Sequence, residues 1–178
     1  ITILGTTQNI AEVAALGRLG QLFGILSAFN GVIIGPYFAS LPAASLFVRY
    51  FQVLTVAVLL AASLSVFAFL FPAPLLWLLG PKYATLGGAV GWVILTSCIS
   101  YVGGVMWSMH AARKWVFWWS TILYIGLTLG IQVLGFVYLN LSSTMGVVYF
   151  GMLATTATLV VHIATAKIGF SKSKKKEF

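Results

Sequence analysis

Acidic residues are almost missing from this sequence. It contains no aspartate, and its only acids are Glu12 and Glu177. No pair of carboxylates is therefore available for general acid–base catalysis, and no Ser/His/Asp set can be assembled. Proton- and sodium-coupled transporters usually rely on a carboxylate buried in the membrane, and the apolar stretches of this chain supply none. We therefore expect the chain not to be an enzyme.

Charged residues and cysteines are also scarce. Only 7% of the 178 residues are charged, whereas soluble domains contain roughly 25%, which argues against a soluble fold. The single cysteine, Cys98, lies in an apolar stretch, so no internal disulfide can form and no cysteine-based metal site is expected. Neither a phosphate-binding loop nor a zinc-ligand spacing occurs in the sequence. We expect no metal and no cofactor.

Hydrophobic residues, in contrast, make up 61% of the chain and fall into five long runs. A helix rises ~1.5 Å per residue, so about 20 apolar residues cross a ~30 Å hydrocarbon core. The pattern predicts an all-α integral membrane protein, a polytopic bundle of about five transmembrane helices. The predicted spans are Val13–Ile34, Leu46–Phe71, Leu86–Met109, Trp115–Leu139 and Met145–Ala166.

Polar or proline-containing segments separate these runs. Pro72, Pro74 and the Gly80-Pro81 pair predict an interruption rather than one continuous helix. Because the chain starts at Ile1 rather than at methionine, we also expect it to be a fragment of a longer protein. The expected organisation is an outer loop or the end of a preceding span (residues 1–12), a five-span bundle (13–166) and a basic cytoplasmic tail (167–178). The predicted connections are residues 35–46, 72–82, 110–114 and 140–144.

The basic residues predict the orientation. Cytoplasmic segments of membrane proteins are enriched in lysine and arginine, and placing the C-terminal tail in the cytoplasm puts eight of the ten basic residues on that side. The exceptions are Lys82, on the outer side, and Arg18, within the first span. The reverse orientation would invert that distribution. We therefore expect a multi-pass protein with a cytoplasmic C-terminus.

Each span carries polar residues on one side when positions are advanced by ~100° per residue. Such faces suit neighbouring helices, because small and hydroxyl-bearing residues allow close approach, or they suit a water-filled cavity. Both interpretations stay open for the serines and threonines. His162 lies close to the end of the fifth run and is expected at the membrane interface. The candidate cavity-lining residues are Arg18, Gln21, Gln52, Ser100, Tyr101, Tyr124, Thr128, Gln132, Thr155 and Thr158.

Arg18 is the one fixed charge in the first span. Glu12 lies more than a turn and a half away on a helix, so a direct ion pair is poor. The side chain could extend to the lipid headgroups. Alternatively, it could face a cavity and bind an anionic group, since a guanidinium stays charged and offers two parallel donors to phosphate oxygens.

Two stretches carry a resemblance to a known family. The run AEVAALGRLGQLFGILSAFNGVIIGPYFA and the later stretch LLWLLGPKYATLG (Leu75–Gly87) are similar to the C-terminal part of the polysaccharide-biosynthesis flippases. These O-antigen-type exporters belong to the MOP superfamily, which also contains the MATE antiporters. The resemblance covers nearly the whole chain, and its motifs are loose and hydrophobic. The five spans would correspond to the eighth to twelfth of twelve.

The resemblance implies a function. Members of that family move a lipid-linked oligosaccharide, a step of lipopolysaccharide and O-antigen assembly, across the bacterial inner membrane by alternating access between two bundles. This chain would be most of one bundle, with membrane lipids, the lipid-linked glycan and the missing N-terminal spans as its partners and no nucleic acid. A diphosphate carrier would give Arg18 a cavity role. The alternatives are a MATE-like small-molecule antiporter and a structural subunit that transports nothing.

Overall fold

The prediction of an all-α membrane bundle is confirmed by a computed structural model that describes residues 6–174. No strand occurs within that range. Five helical segments are long and apolar enough to cross a membrane, and they match the five predicted runs in order. The five segments are Thr7–Ser40, Ala43–Leu70, Pro81–Ala112, Trp118–Tyr138 and Thr144–Ser173.

The first segment is longer than predicted at both ends. Helix α1 (Thr7–Phe29) begins directly after Thr6, whose side chain accepts a hydrogen bond from the backbone N–H of Asn9. This hydroxyl satisfies one of the donors exposed at a helix start. The prediction of a loop over residues 1–12 is therefore wrong from Thr7 onward, and residues 1–5 lie outside the described part.

A π-helical turn, Asn30–Ile34, joins α1 to the short helix α2 (Gly35–Ser40). Pro36 lies in the first turn of α2, where the regular bonding to the preceding helix is already interrupted and a missing N–H is tolerated. The predicted connection over residues 35–46 was therefore wrong in extent. Only Leu41 and Pro42 separate α2 from helix α3 (Ala43–Leu70).

The predicted interruption after the second span is confirmed. Helix α3 ends at Leu70. The next residue, Phe71, has φ of −129° and ψ of 66°, and Pro72 starts the short helix α4 (Pro72–Leu79). Gly80 follows with φ of 99°, a backbone conformation that favours glycine. A 3₁₀ helix, Pro81–Leu86, then leads into helix α5 (Gly87–Ala112).

Helix α5 passes beyond the predicted end of its span. His110 was placed in a loop, but it lies in the last turns of α5 and is fully buried. The connection is shifted to residues 113–117 and is followed by helix α6 (Trp118–Tyr138). Trp115 in this connection packs into the core.

Helix α7 (Thr144–Lys174) includes the first part of the predicted tail. The helix continues past the expected boundary at residue 166, because Gly169 packs closely on the indole of Trp115 and Phe170 contacts the rings of Tyr50 and Trp115. Lys167 lies on an exposed side of α7, and the apolar side of the helix continues beyond it. Residues 175–178 lie outside the described part.

Helix α5 is the centre of the bundle. It packs against α1, α2, α3, α4 and α7, whereas α6 packs along α7. The helices alternate in direction, so Arg113 and Lys172 lie together at one end, which we call the basic end. At the opposite end, called the Glu12 end, Glu12 Oε2 accepts a 2.6 Å hydrogen bond from Thr144 Oγ1, and the Asn9 side chain donates to the carbonyl of Ser142.

Candidate functional site: a polar groove between three helices

A groove opens between α5 and α6, with α7 as its floor. It forms because α6 packs against α7 and hardly touches α5. The opening has a volume of about 460 Å³ and receives side chains from all three helices. Six of the ten predicted cavity residues line it, namely Ser100, Tyr124, Thr128, Gln132, Thr155 and Thr158.

The polar residues of α5 divide between two environments. Ser100 lines the groove together with Gly103 and Trp107. Ser97 instead faces α1, since a Cβ added at Gly20 would lie 3.3 Å from its Oγ. Its hydroxyl donates to the Val93 carbonyl at 3.0 Å. Both interpretations of the polar stripe therefore apply on α5, with packing at Ser97 and an open groove at Ser100.

The polar stripe of α6 faces the groove as a unit. Tyr124, Thr128 and Gln132 lie at successive turns of the helix and line the groove together. The hydroxyl of Thr128 is buried and has no hydrogen-bond partner among the described residues. A buried hydroxyl without a partner costs free energy unless a water molecule or a bound group supplies the missing hydrogen bond.

The threonine hydroxyls on the α7 floor already donate hydrogen bonds to backbone carbonyls. Thr155 donates to the Gly151 carbonyl at 2.8 Å, and Thr158 donates to the Ala154 carbonyl at 3.3 Å. A hydroxyl oxygen that donates in this way keeps its lone pairs as acceptors. The floor therefore suits a ligand rich in hydrogen-bond donors.

The groove continues toward the basic end through a second cavity of about 320 Å³. The two cavities share Trp107, Tyr124, Thr158 and His162, so they are parts of one polar path. Trp107 and Tyr124 are about half exposed, at 51% and 42%, and present ring surface there. No aspartate, glutamate, lysine or arginine lines either cavity.

A buried hydrogen bond lies behind this second cavity. The hydroxyl of Tyr50 and Nε2 of His110 are 2.9 Å apart, and both side chains are buried. The ring of His110 lies 5.7 Å from that of His162, centroid to centroid. His162 thus connects the lining of the groove to a polar pair in the core, and it lies about 18 Å along α7 before Lys174. It lies farther from the end of its helix than predicted, because α7 extends past residue 166.

Gln52 and Tyr101 lie apart from this groove. They line a separate depression between the α1–α2 region and α3, together with Arg49. Arg49 Nη1 donates to the side-chain oxygen of Gln52 at 3.0 Å. The amide is therefore engaged with a neighbour one turn away.

Arg18 and Gln21 are exposed on α1 and line neither the groove nor the depression. The carboxylate of Glu12 bonds Gln8 and Thr144 instead. Among residues 6–174, Arg18 makes no hydrogen bond or salt bridge with another side chain. The expectation that Glu12 is a poor partner for Arg18 agrees with this arrangement.

Three residues with polar or aromatic side chains near the groove were not among the predicted site residues. Trp107 and His162 line it, and Asn30 lies beside it, since a Cβ added at Gly104 would be 3.8 Å from its amide nitrogen. That nitrogen is buried in the π-helical turn without a hydrogen-bond partner. His162 shares the helix face of Thr155 and Thr158, so the polar stripe itself contained the signal for it.

Comparison with protein-family models, with curated proteins and with solved structures found no match for this chain.

Proposed function

We propose that the chain forms part of a transporter that moves a lipid-linked oligosaccharide across a membrane by alternating access. The observation that carries this proposal is the convergence of Ser100, Thr128, Gln132 and Thr158 from three helices on one polar groove. Polar groups inside membrane helices are costly unless they serve packing or a pathway. The resemblance of residues 11–39 and Leu75–Gly87 to the polysaccharide flippases supports the same class.

The chemistry of the groove favours an uncharged, hydroxyl-rich substrate. Its lining combines hydroxyls, one amide and exposed aromatic rings, and lacks a carboxylate. Sugars present donors, acceptors and apolar C–H faces, which match such a lining. Both cavity volumes fall in the range of ~300–1,000 Å³ that is typical of small-molecule sites. The groove is less suited to a MATE-like antiporter of cationic compounds, because no acid is present in it to attract a cation.

A structural role is the second candidate, and the exposure of α6 favours it. Large apolar residues such as Ile122, Leu129 and Val133 are exposed on that helix. A helix from another part of the protein or from a partner could cover α6 and fill the groove. In that case the polar stripe would serve packing alone.

The full protein in proteoliposomes tests the transport proposal. A fluorescent lipid-linked oligosaccharide is added, and its passage is followed as protection from an external glycan-modifying enzyme. Thr128→Val and Thr158→Val each remove a groove hydroxyl at nearly constant volume, so we expect transport to fall roughly three- to tenfold. Thr55→Val is the matched control, because Thr55 is exposed on α3 outside the groove. The proposal is contradicted if the wild type does not transport the substrate. It is also contradicted if all four proteins transport it equally at equal expression.

A further inference from the structure

The basic end carries a second, separate pocket that the transport proposal does not use. It has a volume of about 370 Å³ and lies between the α5–α6 connection and the last turns of α7. Arg113, Lys114 and Lys172 line it, with the hydroxyl of Ser173 beside them. Three cations from two elements of the fold thus surround one concave space.

Backbone hydrogen bonds shape the connection that carries Arg113 and Lys114. The N–H of Lys114 donates to the Ala111 carbonyl at 3.1 Å, and the N–H of Trp115 donates to the His110 carbonyl at 2.9 Å. Lys114 has φ of 57°, a region that residues other than glycine rarely adopt. Lys114 lines the pocket from this hydrogen-bonded turn.

Arg113 and Lys172 are held by their neighbours while keeping donors for a ligand. Nη1 of Arg113 donates to the carbonyl oxygens of Leu41 at 3.1 Å and Phe38 at 3.4 Å. Its Nη2 and Nε atoms donate to no acceptor among residues 6–174. The Nζ of Lys172 lies 4.5 Å from the centre of the Phe117 ring, which attracts the ammonium group without consuming its donors.

No acid among the described residues compensates these charges. Glu12, the one acid in that range, bonds Thr144 at the opposite end of α7. Glu177 lies outside the described residues. Trp118, next to the connection, is exposed, and tryptophan is enriched at headgroup level in membranes.

We infer that this basic pocket binds the phosphate of an anion at the membrane surface. A phosphate offers several acceptor oxygens, which suit a guanidinium and two ammonium groups. The Ser173 hydroxyl does not add a donor, because it already donates to the Gly169 carbonyl at 3.1 Å. Basic pockets of this kind between membrane helices bind anionic headgroups. A free phosphate could make the same contacts as the phosphate of a lipid headgroup. The experiment below therefore tests the two separately. The site does not depend on transport through the groove.

Native mass spectrometry of the purified full protein tests the inference. Binding of phosphatidylglycerol is compared with binding of phosphatidylcholine, and inorganic phosphate is added in a separate arm. The double variant Lys114→Gln with Lys172→Gln removes two pocket charges, and glutamine leaves the positive φ at position 114 as unfavourable as lysine does. Arg113 is kept, because it also bonds the Phe38 and Leu41 carbonyls.

The matched control is Lys82→Gln with Lys167→Gln, which removes the same charge from residues outside the pocket. We expect the pocket variant to bind phosphatidylglycerol roughly tenfold more weakly and the control to lose less than about twofold. If inorganic phosphate binds the wild type and is lost in the pocket variant, the site also takes the free anion. Equal losses in both double variants, or equal binding of the two lipids, overturn the inference.

Discussion

Arg18 carries a permanent charge on an exposed side of α1, away from the residues that line the groove. An arginine in an apolar helix is costly unless it reaches water, headgroups or an anion. The sequence identified this residue without difficulty, because it is the only charge in the first span. Its position outside the groove does not test the cavity role, which remains a prediction.

If Arg18 faces the central cavity between the two bundles, Arg18→Ala should abolish transport while the protein still inserts into the membrane. Arg18→Lys should recover only part of the activity, because an ammonium group does not form the paired hydrogen bonds of a guanidinium with phosphate. The proteoliposome assay at equal expression measures both. Normal transport by Arg18→Ala would identify Arg18 as an interfacial anchor.

Tyr50→Phe is expected to destabilise the protein by about 1–3 kcal/mol, because it leaves Nε2 of buried His110 without its partner. Unfolding of the purified protein in detergent measures the change. Tyr37→Phe is the control, since Tyr37 is 40% exposed, and surface changes cost within ~0.5 kcal/mol. Equal stabilities of the two variants would show that the Tyr50–His110 bond contributes nothing.

At the scale of the helices, hydrophobic periodicity predicted five membrane segments in the right order, and the prolines predicted the break at Phe71 and Pro72. The errors lie at helix ends. Pro36 suggested a connection, but the π-helical turn before it accommodates the proline. Lys167 suggested the end of a span, but tertiary packing of Phe170 extends α7. Neither the π-helical turn nor the packing of Phe170 can be predicted from the local composition.

Gly169→Ala tests whether this extension of α7 is part of the folded core. An added methyl group would collide with the indole of Trp115, which is buried. We expect a loss of about 1–3 kcal/mol, as for overpacking of a core. Gly126→Ala is the control on α6, where nothing lies within 4 Å, and alanine there should be neutral or stabilise by up to ~1 kcal/mol. A similar response of both variants in thermal unfolding would mean that α7 detaches from the bundle at this point.

At the scale of the whole molecule, the sequence predicted six of the groove residues, because polar positions on each helix repeat with the helical period. It did not separate them from Gln52 and Tyr101, since the relative rotation of α3 and α5 is set by packing. Successive helices run in opposite directions between the basic end and the Glu12 end. The orientation that the charge distribution predicts, with the basic end in the cytoplasm, remains a prediction.

Reporter fusions after Thr144 and after Phe178 test the orientation. Because basic segments stay in the cytoplasm, we expect a fusion after Phe178 to report a cytoplasmic location and one after Thr144 to report the outer side. A cytoplasmic signal at Thr144 would reverse the proposed topology.

The central claim is that the groove between α5, α6 and α7 holds the substrate, and site-specific photocrosslinking tests it most directly. A photoreactive amino acid at position 158 lies on the groove floor, whereas one at position 156 projects from the exposed side of the same helix. In membranes supplied with the lipid-linked oligosaccharide, we predict a glycan-bearing crosslink at 158 and none at 156. A crosslink from 158 to another protein helix, with no glycan attached at either position, would contradict the claim and support a structural role.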